Sequence, residues 1–396
     1  MRIIRMTGLF ATVSALFVPV AAAQDLTYDI NGRFVIAGAA IDTSAPLGQD
    51  GLVGRYDGGV SAELVLNNGL RISAVGQAAI ERDQDNRDPR GGRAGDCPAG
   101  VLDCAGVRAP VSGFAGIGET DRAGLRLALQ AAYVSVEGGW GEVSVGADQG
   151  AAARFSLAPP NILGGVSTID GSLSVTGIGG ATVVNDLSGA SAKVVLISPR
   201  ILGLRGAISF APESNIDTLD QGFGDREGAP ATYDPENIVE AGLSFARNWQ
   251  NGLRTAAAVT VLRAEDGSGL AVFDDITNVH AGVTLGLGAL EIGAAYLTSD
   301  NGWRAGGRGY QSIGVSGVYT LNNWAFMLEG TASSDDLAHV SVNTTVAAVR
   351  RTLSENVDLS LGLTRQERNV PVVTGLGRSA VEQDSTGLFL EIAADL

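Results

Sequence analysis

The chain has 396 residues, a formal net charge of −16, 45% hydrophobic residues, 55 glycines and two cysteines. An acidic balance of that size repels phosphate backbones and argues against nucleic acid as a partner. Beyond the first residues no apolar run reaches the roughly 20 residues of a spanning helix, which argues against a helical membrane protein but is silent about barrel strands.

Residues 1–23, MRIIRMTGLFATVSALFVPVAAA, carry Arg2 and Arg5, then an apolar run, then Ala21, Ala22 and Ala23. That order predicts a signal peptide for export, cut after Ala23. Its loss takes the net charge to −18. Residues 24–396 are read as one β-barrel domain without a linker.

From there the chain alternates with a period of two. In GLRLALQAAY, Leu125, Leu127, Leu129 and Tyr133 share one phase and Arg126 and Gln130 the other; in LGLRGAISF, Leu202, Leu204, Ile208 and Phe210 oppose Arg205 and Ser209. VDLSLGLTRQE separates Val357, Leu359, Leu361 and Leu363 from Asp358, Ser360 and Thr364, and LFLEIAADL aligns Leu388, Leu390, Ile392, Ala394 and Leu396. Successive strand side chains point to opposite faces, so each segment has an apolar and a polar side.

Tight turns such as LNNGL, WQNGL and LNNW alternate with long polar stretches near 83–121, 149–188 and 213–236. Asn-Gly supplies the positive φ of short hairpins. The punctuation predicts strands near 26–39, 54–66, 70–82, 122–137, 140–148, 189–198, 202–212 and 237–249. Eight more follow near 253–264, 275–287, 289–299, 310–321, 324–334, 339–352, 357–367 and 385–396. An even set of antiparallel strands, with short turns at one end and long loops at the other, describes an all-β, 16-stranded transmembrane barrel with apolar faces toward lipid and polar faces toward a wet lumen. A secreted β-solenoid of similar composition needs calcium-binding nonapeptides at a fixed period, and none recurs here.

The segment AYVSVEGGWGEVSVGADQGAA, residues 132–152, and the alternating C-terminal strand resemble the general porins of Gram-negative bacteria, in particular the alphaproteobacterial type. Three features depart from that pattern: Ala147 and Asp148 where Arg is common, PPNILGG where the family has an acidic Pro-Glu-Phe-Gly-Gly, and a terminal Leu396 in place of Phe. The resemblance implies a homotrimer in the bacterial outer membrane, in contact with lipid and lipopolysaccharide. It also implies that the connection after the fifth strand folds inward as a constriction loop. About forty residues are too many for a neutral connection, which points the same way.

Candidate constriction residues are Asp148, Arg154, Asp170 and Asp186. Strand phase places Arg33, Arg55, Arg71 and Arg126 inward on the first four strands, predicting a basic pore wall, with Glu63 among them and Glu240, Glu291 and Asp358 also inward. A basic wall opposite an acidic loop sets a transverse field that favours small polar solutes. The negative total predicts a weak cation preference. Tyr28, Trp140, Trp249, Tyr296, Trp303 and Trp324 near strand ends are candidate members of the interfacial aromatic girdles.

Cys97 and Cys104 in CPAGVLDC predict a local disulfide after export. No cofactor is required. The acidic pairs Asp274, Asp275 and Asp335, Asp336 are candidate calcium ligands, each too few alone for a six- to eight-oxygen shell, and calcium bridging to lipopolysaccharide is an equal reading. With only His280 and His339, and no nucleophile or phosphate motif, the chain is not expected to be an enzyme. Two alternatives share the strand pattern: a closed-lumen barrel acting as adhesin or anchor, and a barrel hydrolase.

Overall fold

The computed structural model describes residues 23–44, 52–82, 107–113, 125–169, 171–173, 175, 181–214, 231–374 and 377–396. Residues 1–22 of the expected signal peptide 1–23, both cysteines and Asp170 lie outside that set.

Sixteen strands close into one barrel in which every neighbour is antiparallel. They are β1 Ala23–Thr43, β2 Leu52–Leu66, β3 Arg71–Arg82, β4 Leu125–Gly138, β5 Gly141–Asp148, β6 Ser191–Ile197, β7 Leu204–Glu213 and β8 Pro235–Asn248. The second half is β9 Leu253–Asp266, β10 Ile276–Leu287, β11 Leu290–Ser299, β12 Tyr310–Leu321, β13 Trp324–Asp335, β14 Val340–Ser354, β15 Val357–Thr374 and β16 Gly377–Asp395. β1 pairs with β16 from Arg33 opposite Asp395 to Thr43 opposite Ser385, so no ladder is left open to lipid. All sixteen predicted strands are present. The last hairpin runs longer than expected, because β15 and β16 stay in register as far as Thr374 opposite Gly377.

Short turns at one end use the residues that such geometry demands. Gly252 and Asn322 sit at φ of 80° and 53°, the left-handed region that costs most side chains steric strain. No helix among the described residues is long and apolar enough to cross a membrane. The strands cross it instead.

The outward phase is apolar. Leu361, Leu363, Leu388 and Leu390 are exposed, while Ser360, Thr364 and Gln366 between them are buried against the interior. One assigned phase is corrected. Ala131 pairs with Gln77 and Leu129 with Ala78, so Gln130 is an extra residue in β4, and this bulge turns Tyr133 inward although it shares the parity of Leu129.

The interior is not uniformly polar either. Inward-phase Ile238, Leu262, Ile276, Leu297, Val342 and Val370 form a dry cluster near the long-loop end of the barrel, joined by Ala109, Val111, Ala152 and Leu187 from connecting segments. A second cluster sets inward Val35, Val53, Met327, Val346 and Phe389 against Ile162, Leu163, Val166 and Leu173 of the β5–β6 connection. Apolar residues point inward there because chain, rather than water, covers them.

Candidate functional site

The β5–β6 connection enters the lumen and follows the inner wall. It opens with α1, Ala151–Phe155, whose N-cap Gly150 offers no side-chain acceptor. The wall supplies acceptors instead: Ala151 N–H donates to Ser209 Oγ at 2.8 Å and Ala152 N–H to Glu240 Oε2 at 2.8 Å. A carboxylate at a helix start satisfies orphan donors and faces the positive end of the peptide dipoles.

Two more wall carboxylates hold the loop farther round the ring. On β16, Glu391 accepts the backbone N–H of Gly164 at 2.6 Å, of Gly165 at 2.9 Å and of Val166 at 3.1 Å. On β13, Glu329 accepts Thr168 N–H at 2.8 Å, Thr168 Oγ1 at 2.5 Å and Ser167 Oγ at 3.0 Å. The returning chain is fixed by Tyr310, whose hydroxyl accepts Thr182 N–H at 3.1 Å and donates to Thr182 O at 3.0 Å. Lys193 Nζ closes the loop by donating to Ser188 Oγ and Gly189 O, each at 2.6 Å.

Glycines of the inner wall make room for this path. A Cβ at Gly242 would lie 2.6 Å from Cβ of Phe155, and one at Gly293 would lie 2.6 Å from Cδ of Pro160; Gly282 and Gly314 meet Leu157 and Ile169 in the same way. The signal was present in the sequence as AG, AG, IG and IG at inward positions of β8, β10, β11 and β12. Sequence reasoning assigned Glu240 to the lumen and passed over Glu329 and Glu391. A lone carboxylate in the inward phase of a mid-strand, as in LFLEIA, is the mark that identifies them.

Of the expected constriction residues, Asp148 and Arg154 meet at the loop root. The Arg154 guanidinium contacts Asp148, reaches Glu142 at 3.3 Å and Ser144 Oγ at 3.3 Å, and lies 5.4 Å from the centre of the Tyr133 ring. Arg205 reaches the same Glu142 at 3.7 Å. Asp186 accepts Gly189 N–H at 2.9 Å and shapes the exit turn.

The expected basic wall is instead a wall of ion pairs. Arg55 lies 2.8 Å from Asp57 and 3.4 Å from Glu81, and Arg33 lies 4.0 Å from Asp395. Arg71 lies 3.3 Å from Glu63 and 3.1 Å from Glu137, in a group left 40–49% exposed on the inner face of β2 to β4. Arg126 stands opposite Glu81 in the backbone register of β3 and β4. Across the lumen, Arg350 and Asp358 are 3.6 Å apart. Same-phase residues on adjacent strands are direct neighbours, so acids counted separately from the arginines turn out to be their partners.

Three of the four calcium candidates already have partners, and Asp336 is exposed. Asp335 is buried and accepts Ser112 Oγ, Asn301 Nδ2 and the N–H groups of Leu337 and Ala338. Asp275 pairs with Arg263 at 2.7 Å and Asp274 lies 3.8 Å from Arg304. Among the described residues no group of three or more metal-ligating side chains occurs. Trp303 packs edge-on to Phe273 at 6.1 Å, away from the girdle position expected of it, whereas Trp140, Trp249 and Trp324 are exposed beside short turns.

A closed antiparallel barrel with an apolar belt, a charged inner wall and a long inward loop defines a transmembrane channel of the bacterial outer membrane. A family model of Gram-negative porins matches residues 11–370, and the chain belongs to that family. It forms a channel through the outer membrane. The fold is similar to the anion-selective porin from Comamonas acidovorans, at 12% identity over 94% of this chain and 100% of that one, with a TM-score of 0.56. It is also similar to OprB of Pseudomonas putida, at 10% identity, 94% coverage of both chains and a TM-score of 0.54. The trimer form of Vibrio cholerae OmpT matches at 11% identity, 94% and 99% coverage and a TM-score of 0.53. No curated protein sequence matches the chain.

Proposed function

We propose that the channel passes ions and small hydrophilic solutes by passive diffusion, with a weak preference for cations, and that it works as a homotrimer, requires no cofactor and catalyses no reaction. The observation that carries this reading is the loop tethered by Glu240, Glu329 and Glu391, which lines one side of the lumen and leaves the group of Arg71, Glu63 and Glu137 on the inner face of β2 to β4 open. Diffusion then proceeds between the loop and that wall.

Cation preference rests on local balance. The Arg71 group sets one guanidinium against Glu63 and Glu137 in its exposed part of the wall, so a passing cation meets the surplus carboxylate. The trimer is supported by the outward face of the first strands. Tyr28, Ile30, Leu125 and Leu127 stand 73, 79, 77 and 72% exposed, whereas lipid-facing Val283 and Leu285 on β10 are 42 and 40% exposed. Small outward residues Gly38, Ala40, Ala74, Gly76 and Ala78 surround them and admit a close neighbour. On the question of catalysis, His280 is buried on the inner face of β10 and His339 lies in the β13–β14 connection. Lipopolysaccharide is the expected lipid contact on the long-loop side.

Single-channel recording in planar bilayers tests the proposal. We expect stable steps in threes, conductance rising with salt, and a reversal potential in a salt gradient of the cation-selective sign. Glu63→Gln with Glu137→Gln shifts that potential toward anions. An anion-selective potential in the unmodified protein refutes the charge assignment, and a folded barrel without conductance favours the closed-lumen adhesin reading.

A further inference from the structure

Residues 107–113 belong to the connection between β3 and β4, yet they are held on the far side of the barrel mouth. Ser112 Oγ donates to Asp335 Oδ2 at 2.6 Å, and Asp335 closes β13. In the ring of sixteen strands, β13 stands six strands from β3 by the shorter way, where eight is the maximum. The described segment itself spans part of the opening, because Val107–Arg108 lies beside Ala231–Thr232, just before β8, whereas Ser112 meets the end of β13 five strands farther round.

Its seat is well built. Ala109 and Val111 are buried in the dry cluster with inward Ile238, Leu262, Leu297 and Val342. Val107–Arg108 forms a parallel two-residue bridge with Ala231–Thr232 from the β7–β8 connection, and Gly113 N–H closes a turn on Ala109 O at 3.0 Å. Asp335 is itself fixed by Asn301 Nδ2 at 3.2 Å and by the N–H groups of Leu337 and Ala338 at 2.9 and 3.0 Å, so its carboxylate is oriented toward Ser112. Apolar burial on one side and a charge-assisted hydrogen bond on the other keep the segment in place.

We infer that residues 107–113 are a fixed strap across the long-loop mouth that sets the size limit for solutes before they reach the constriction, so that two inward segments select in series. The strap acts on size. The wall charges deeper in the lumen act on sign. This rests on the diffusion-channel reading.

Swelling of proteoliposomes in a pentose, a disaccharide and a trisaccharide tests it, alongside single-channel conductance of the same preparations. Ser112→Ala with Asp335→Ala, and separately Val111→Gln, should erase much of the discrimination between pentose and trisaccharide and raise conductance, with the ion selectivity of the uncharged Val111→Gln variant unchanged. Unaltered discrimination in both folded variants refutes the strap, whereas absence of swelling in the unmodified protein refutes the diffusion channel itself. A mild probe reports the seat directly. In a Cys97→Ser, Cys104→Ser background, Ala109→Cys should react with a membrane-impermeant maleimide roughly tenfold more slowly than Asp336→Cys, because a buried thiol is inert. Equal rates refute the seating.

Discussion

Glu391 holds three consecutive backbone N–H groups of the constriction loop. Each buried donor left without an acceptor costs about 1–3 kcal/mol, so Glu391→Ala should leave the Gly164 to Val166 segment in several positions while the barrel persists. Glu329→Ala acts on the adjoining turn at Thr168. Both variants are expected to show added current noise and sublevels in single-channel records, with Glu391→Gln intermediate because its one amide oxygen still accepts. Records as quiet as those of the unmodified protein would show that the loop is held by its apolar contacts alone. These roles were only partly legible. Inward phase was readable for Glu240, but the partners are loop backbone groups, which no side-chain pattern announces.

At the scale of the strand, alternation was the reliable guide. Leu361 lies in the outward phase of β15 between buried Ser360 and Gly362, as its apolar spacing predicts. Leu361→Arg should destabilise the barrel by roughly 2–4 kcal/mol if it sits at the midplane, falling toward zero nearer either interface, as measured by urea unfolding in lipid vesicles. No loss at all would place Leu361 at an interface or outside the membrane, away from the midplane. Alternation failed where the backbone departs from it: the extra residue Gln130 in β4 reverses the phase of everything after it, including Tyr133. It also failed at the ends of β15 and β16, where RNVPVV and RSAVEQ carry no clean pattern and pairing continues because the first part of the hairpin sets the register.

At the scale of the whole molecule, closure is what makes the strands viable. The β1–β16 ladder pairs two segments more than 340 residues apart. Removing residues 385–396 takes away every β16 residue that β1 pairs with, and leaves both β1 and β15 with unpaired backbone groups in hydrocarbon. The truncated chain should not reach a folded barrel in detergent, read as loss of the mobility shift on heating before electrophoresis. A folded truncated barrel would mean that β1 and β15 can close directly.

The sequence by itself determined the strand count, the order of tight turns and long connections, the lipid-facing phase and the inward placement of the arginines. Each is local: a period of two, a turn residue or a charge kept out of lipid is decided by near neighbours in the chain. Tertiary structure decided which acids neutralise which arginines, where apolar residues turn inward to meet returning loops, and how Ser112 comes to lie against Asp335. Those depend on contacts between segments tens to hundreds of residues apart, brought together only when the barrel closes and its long connections fold into the space it encloses.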